Sequence, residues 1–117
     1  MNDVALLMQT YEHFNNRHMD ATLSVMHPEV EWHNGMEGGI EHGREAVREY
    51  WTRQWKIFDP HVEPIHFVRQ KDGRINVTVH QVVRDMGGKL LVDQLIHHIY
   101  AIEDGFIKSM EIEPFNA

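Results

Sequence analysis

The sequence predicts an α+β fold: a cone-shaped, curved antiparallel sheet wrapped over three helices that all lie in the N-terminal half. A change of period carries that expectation. Before Pro60 the apolar residues recur at helical spacing, and after it they alternate in twos. The second half is also divided by Asp72-Gly73, Gly87-Gly88 and Asp104-Gly105, which favour tight hairpin turns. Helices followed by a run of strands is an α+β order. With 117 residues and no internal repeat, the chain reads as one domain over positions 1–117.

The elements follow in order. Asn2 or Asp3 can cap a first helix whose apolar stripe is Val4, Leu7, Met8, Tyr11 and Phe14. Asn15-Asn16-Arg17-His18 breaks that pattern. Asp20 is a good cap for a short second helix with Leu23 and Met26, stopped by Pro28. Glu29 to His33 reads as a short strand, and the glycines from Gly35 to Gly43 mark a loop. A third helix starts at Gly43-Arg44-Glu45 and carries Val47, Tyr50, Trp51, Gln54, Trp55 and Phe58 on one face, ending at Asp59-Pro60. Val62 to Gln70, Ile75 to Arg84, Lys89 to Ile102 and Phe106 to Ile112 read as four strands of a meander. Folding a strongly bent sheet over the first and third helices gives a cone with a closed end and an open mouth.

Composition excludes several classes of function. There is no cysteine, hence no disulfide, thiolate metal site or thiol nucleophile. The formal charge of −7 disfavours nucleic-acid binding, which relies on a basic surface. No apolar run approaches the ~18 residues of a membrane span, and Met1-Asn2-Asp3 does not open a secretory signal, so a cytoplasmic location is expected. The ten histidines show neither His-x-His on a strand nor His-x3-His on a helix, so no metal and no other cofactor is expected. Gly35-Met36-Glu37-Gly38-Gly39 lacks the Lys-Ser/Thr ending of a phosphate loop, and there is no Gly-x-Ser-x-Gly.

What remains is a pocket. Trp32 and Asn34 share parity at a strand end, and Tyr50, Trp51, Gln54 and Trp55 cover one side of the third helix. An aromatic stripe is ordinarily core, but a glutamine within it needs polar partners, which a ligand can supply. Gln94, His98 and Tyr100 share a face of their strand with Ile96 and Ile102 and read as the opposite wall. A neutral imidazole both donates and accepts, so His98 is the candidate catalytic residue, as acid–base group or as donor to a carbonyl. His97 points the other way. Plain alternation also turns His80 outward, whereas a bulge between residues 80 and 84 would turn it in, so His80 stays among the candidate ligand contacts. His42, in the loop before the third helix, is a surface residue on this reading.

The runs Met26-His27-Pro28-Glu29-Val30-Glu31-Trp32, His42-Gly43-Arg44-Glu45-Ala46-Val47 and Tyr100-Ala101-Ile102-Glu103-Asp104-Gly105-Phe106-Ile107, in this order of elements, resemble the nuclear-transport-factor-2-like superfamily. The resemblance is to its SnoaL-like polyketide cyclase and ketosteroid-isomerase-like branch and covers nearly the whole chain. It implies a cystatin-like α+β barrel with a deep pocket and a homodimer. In ketosteroid isomerases the general base is an Asp on the strand after the second helix, a position that falls on Asn34, which cannot abstract a proton. The protonated Asp of their oxyanion hole falls on His98, with Tyr100 as the neighbouring aromatic, and their oxyanion Tyr falls near Tyr11. Asp93 is the nearest counterpart to the acid–base residue of SnoaL-like cyclases.

Two functions from different classes follow. One is a cofactor-independent isomerase, cyclase or dehydratase acting on an apolar carbonyl compound through His98. The other is a non-catalytic ligand-binding or dimerisation module with the same pocket. In either case the partner is a hydrophobic or aromatic small molecule. The convex face of the sheet, with Thr78, His80, Leu95 and His97, is the expected homodimer surface.

Overall fold

The structure, a computed structural model, describes residues 2–116. Its elements are α1 (Asp3–Asn15), α2 (Met19–Ser24), β1 (Met26–His33), β2 (Ile40–His42), α3 (Arg44–Ile57), β3 (Phe58–Arg69), β4 (Ile75–Asp85), β5 (Leu90–Glu103) and β6 (Phe106–Pro114). The strands form one curved six-stranded sheet in the order β2-β1-β6-β5-β4-β3, and the fold is α+β. Strands β3 to β6 make the expected antiparallel meander, while β1 joins it parallel to β6. Among the described residues no helix is long and apolar enough to cross a membrane.

Local chemistry explains the element ends. The Asn2 side chain accepts from Ala5 N at 2.8 Å and caps α1. Asp104 and Gly105 both have positive φ (53° and 80°), as a two-residue type I′ hairpin requires. Other boundaries differ from the sequence reading. Asp20 lies in the first turn of α2, not at its cap, and pairs with Arg48 at 2.9 Å. β1 begins at Met26, and Pro28 sits where its pairing with β6 shifts register. A bulge spares the missing N–H any ladder bond. Residues 40–42 of the glycine loop pair with β1 as a short strand. β3 follows α3 without a break at Phe58, because it is an edge strand and tolerates Pro60 and Pro64.

The first helix is seated by its last residues. The Asn15 side chain mimics a strand: Nδ2 donates to Val62 O at 2.9 Å, and Oδ1 accepts from Val62 N at 3.0 Å. Arg17, with φ of 61°, ends the helix and donates to Asp59 Oδ1 and Pro60 O, each at 2.6 Å. Leu7, Thr10 and Tyr11 become the buried face of α1, while Val4 and Met8 are exposed. The core then lies between α1, α3 and the concave face, with Val30, Val47, Val77, Val79, Ile107 and Met110 at or near zero exposure.

Candidate functional site

Alternation on β5 turns Ile96, His98 and Tyr100 to the concave side, and α1 lays Tyr11 across them. Tyr100 Oη donates to Tyr11 Oη at 2.9 Å, and Tyr11 Oη is 2.8 Å from His98 Nδ1. The Tyr11 and His98 rings are nearly parallel (6°), with centroids 5.9 Å apart, and Tyr100 stands edge-on to Tyr11 at 87°. His98 is 7% exposed, and burial pushes its pKa down from 6.5 to about 4. Burial likewise raises both tyrosines. The three groups are therefore uncharged near neutral pH. The Tyr11 hydroxyl, which accepts from Tyr100, shares its second bond with Nδ1, and which of the two donates depends on the imidazole tautomer.

The relay forms part of the wall of a cavity with ≈ 90 Å³ of room for the centres of water-sized molecules. Aromatic side chains build much of the rest. Trp32 meets Trp51 edge-on at 5.4 Å, Trp51 stacks on Trp55 at 5.7 Å, and Phe14 touches both Trp51 and Trp55. Among the described residues the lining contains no Asp, Glu, Lys or Arg. His98 Nε2 makes no hydrogen bond within the described residues and is not among their buried, unpartnered atoms, so it is open to a guest. Such a cavity favours an uncharged, largely apolar molecule with a polar group near Nε2.

A sequence model of the SnoaL-like domain matches residues 7–110. The chain belongs to the SnoaL-like family. No curated protein matches its sequence. Among solved structures it is similar to an NTF2-like protein of unknown function from Burkholderia pseudomallei, at 22% identity and a TM-score of 0.84 over 98% of this chain and 92% of that one. It is also similar to TerC, crystallised with polyporic acid, at 25% identity and a TM-score of 0.82 over 96% and 90% of the two chains. The epoxide hydrolase/cyclase-like enzyme SalBIII, with a role in pyran ring formation in the polyether salinomycin, aligns at 18% identity and a TM-score of 0.79 over 95% and 88%.

Within this SnoaL-like cone, Tyr11, Trp32, Tyr50, Trp51, Gln54, Trp55, His98 and Tyr100 line one cavity. Three candidate contacts stand outside the lining. Asn34 is 4% exposed, but its side chain belongs to the turn. Oδ1 accepts from Met36 N and Glu37 N at 3.2 and 2.7 Å, and Nδ2 donates to Glu37 and Glu41 at 3.3 and 3.0 Å. All its bonding capacity is spent locally, as an Asx turn requires. His80 lies on the convex face, because β4 alternates regularly from Ile75 to Val83, and it pairs with Asp93 Oδ1 at 2.6 Å. Asp93 is thereby also placed outside the cavity. Gln94 has the concave parity but is exposed and outside the lining; it donates at 2.8 Å to Oε1 of its register partner Gln81, which does line the cavity.

Other lining residues were not singled out from sequence. Gln81 continues the concave series Ile75, Val77, Val79, so its parity was a usable signal. His33 has the parity opposite to buried Trp32 yet reaches the cavity from the strand end, where Nδ1 accepts from Ile112 N at 3.0 Å. Alternation gives no hint of that. Met36 is carried in by the loop, which Glu37 clasps to α3 through Arg53 and Gln54 at 3.0 and 2.6 Å.

Gln54 and Trp55 stand apart from the rest of the lining. Gln54 Oε1 and Trp55 Nε1 are buried without a hydrogen-bond partner among the described residues. Each such atom ordinarily costs about 1–3 kcal/mol. Tyr50, nearby on α3, has its pKa raised to about 12, chiefly by burial. Among the described residues no three His, Asp or Glu side chains gather as a metal would require.

Proposed function

We propose that this SnoaL-like protein binds an apolar carbonyl compound in its cone and polarises the carbonyl through His98 Nε2–H. The observation that carries the reading is the buried Tyr100–Tyr11–His98 chain. In this reading Tyr11 donates to Nδ1, so the neutral imidazole carries its proton on Nε2, on the cavity side. A neutral donor in a dry site stabilises the partial negative charge of an enol or enolate without needing to ionise. The reaction class is then isomerisation, cyclisation or dehydration by proton transfer, with no cofactor. That TerC was crystallised with polyporic acid and that SalBIII acts in pyran ring formation support a small organic molecule as the guest.

A second reading is binding without chemistry. What favours it is the absence of any carboxylate from the lining, together with an asparagine, committed to a turn, where ketosteroid isomerases place their base. Thermal-shift screening with cyclic ketones, followed by product analysis, separates the two. Turnover that His98→Ala abolishes supports catalysis. A ketone that binds and is recovered unchanged after long incubation supports the binding protein.

We also propose a homodimer through the convex face. Leu95, 37% exposed, lies there beside the His80–Asp93 pair and His97, which packs on Phe115 at 5.3 Å. Sedimentation at micromolar concentration should show a dimer, and a monomer would overturn this assignment.

A further inference from the structure

We infer that the cavity has a second hydrogen-bond donor, His33 Nε2–H, and that it selects a guest with a second oxygen acceptor: a ketone that also carries an ether or another carbonyl oxygen. The inference rests on the carbonyl-binding reading above and deepens it.

The tautomer of His33 follows from its partner. Nδ1 lies 3.0 Å from the backbone nitrogen of Ile112, and a backbone N–H only donates, so Nδ1 is the bare, accepting nitrogen. The proton of the neutral ring then sits on Nε2. The bond has a local cause. Pairing of β1 with β6 ends at Trp32 and Met110, and two residues further along β6 the imidazole stands in for the missing strand. Nε2 makes no hydrogen bond within the described residues and is not among their buried, unpartnered atoms. His33 is half-buried and lines the cavity, so this nitrogen is open to a guest.

The sheet register relates His33 to His98. The N–H and C=O of a strand residue point to the same side. Ile112 donates towards β1, so with its partner His98 on β5 it forms a non-hydrogen-bonded pair, in which side chains lie close. His33, Ile112 and His98 thus stand on three successive strands and all line the cavity. Two strand spacings set the backbones of the histidines about 10 Å apart. A guest whose carbonyl meets His98 has its second polar contact across the Ile112 side chain. The donor selects what meets it. A ketone or ether oxygen accepts from Nε2–H without charge. A group that only donates leaves Nε2–H unpaired. A carboxylate accepts, but among the described residues the lining has no Lys or Arg to offset the burial of its charge.

The test is calorimetric titration of the purified protein with α-tetralone and with its derivatives bearing one methoxy group on the aromatic ring, each beside the ethyl compound of the same shape. The ring positions sample several spacings from the carbonyl. At least one methoxy compound should bind about fivefold more tightly than its ethyl counterpart. His33→Asn keeps a side-chain oxygen where Nδ1 stands, to accept from Ile112 N, and removes Nε2. It should abolish the methoxy preference and leave α-tetralone affinity within about threefold. If that variant does not fold by circular dichroism, nitrogen-15 NMR of the wild type decides: the Nε2–H signal of His33 should shift with the methoxy compound and not with the ethyl one. If α-tetralone binds but no methoxy compound outdoes its ethyl counterpart, or if the preference survives His33→Asn, or if the Nε2–H signal does not respond, the second donor is wrong and the carbonyl-binding reading stands. If neither α-tetralone nor any derivative binds, that reading fails and the second donor with it.

Discussion

Tyr11 Oη and His98 Nδ1 lie 2.8 Å apart although 87 positions separate them in the chain. The bond ties α1 to β5, so it forms only when helix and sheet have closed on each other. It also leaves Nε2 as the imidazole nitrogen without a partner among the described residues. The contact that reports correct folding is thus the one that prepares the candidate site.

Tyr11→Phe removes one oxygen and leaves two buried groups, Tyr100 Oη and His98 Nδ1, without their partner. The expected loss is about 1–3 kcal/mol in urea denaturation, with the transition slope unchanged. Ketone affinity should fall as well, because the imidazole is no longer held in one tautomer. A variant as stable as wild type would show that the relay contributes nothing net.

The buried His98 makes stability depend on pH. Its folded pKa of about 4 is below its ordinary 6.5, so between these values the unfolded chain binds the extra proton. Stability is unaffected by this group above pH 6.5 and falls as the pH drops from there towards about 4. The full loss is on the order of 3 kcal/mol. His98→Asn should lack this part of the decline, so wild-type and variant denaturation curves converge as pH falls through the window. Parallel profiles would mean that His98 is protonated as easily in the fold as in the unfolded chain.

Asn34→Asp tests whether that position is structural. The carboxylate keeps the two acceptor bonds to Met36 N and Glu37 N but cannot donate to Glu37 and Glu41, which then repel it. A loss of about 1–3 kcal/mol at neutral pH is expected, smaller in acid. No proton-abstraction activity should appear, because the side chain faces the turn. Hydrogen–deuterium exchange at the α-carbon of a bound ketone, present in the variant and absent in wild type, would contradict this.

Gly35→Ala probes the cavity from another side. A Cβ there would stand 2.8 Å from Ile112 Cδ1, the mobile tip of a lining side chain. The tip can yield, so stability should change by less than about 1 kcal/mol. Ketone binding should weaken, since Ile112 must move within the lining. Unchanged affinity in calorimetry would mean that guests do not reach this end.

Much of this was legible in the sequence, for physical reasons. Alternation on β5 grouped His98 with Tyr100, and helical spacing grouped Tyr50, Trp51, Gln54 and Trp55, because backbone geometry fixes side-chain direction. Tyr11 was placed near the oxyanion position only through the resemblance, and its bond to His98 depends on how α1 seats on β3 through Asn15. His33 could not be found by alternation, since it enters the cavity from a strand end. Gln94 stands outside the lining because parity gives the face but not which of two paired residues, Gln81 or Gln94, fronts the cavity. Asn34 was ambiguous, as asparagine before glycine serves a turn and a pocket equally well.

The central claim is that the relay presents a neutral N–H to a ligand carbonyl. Infrared difference spectroscopy of bound α-tetralone labelled with carbon-13 at the carbonyl tests it most directly, in wild type and in His98→Phe. The account predicts a carbonyl stretch shifted to lower frequency in the wild-type complex and returned to its apolar-solvent position in the variant. A wild-type frequency equal to that in apolar solvent, with the ketone bound, would contradict it.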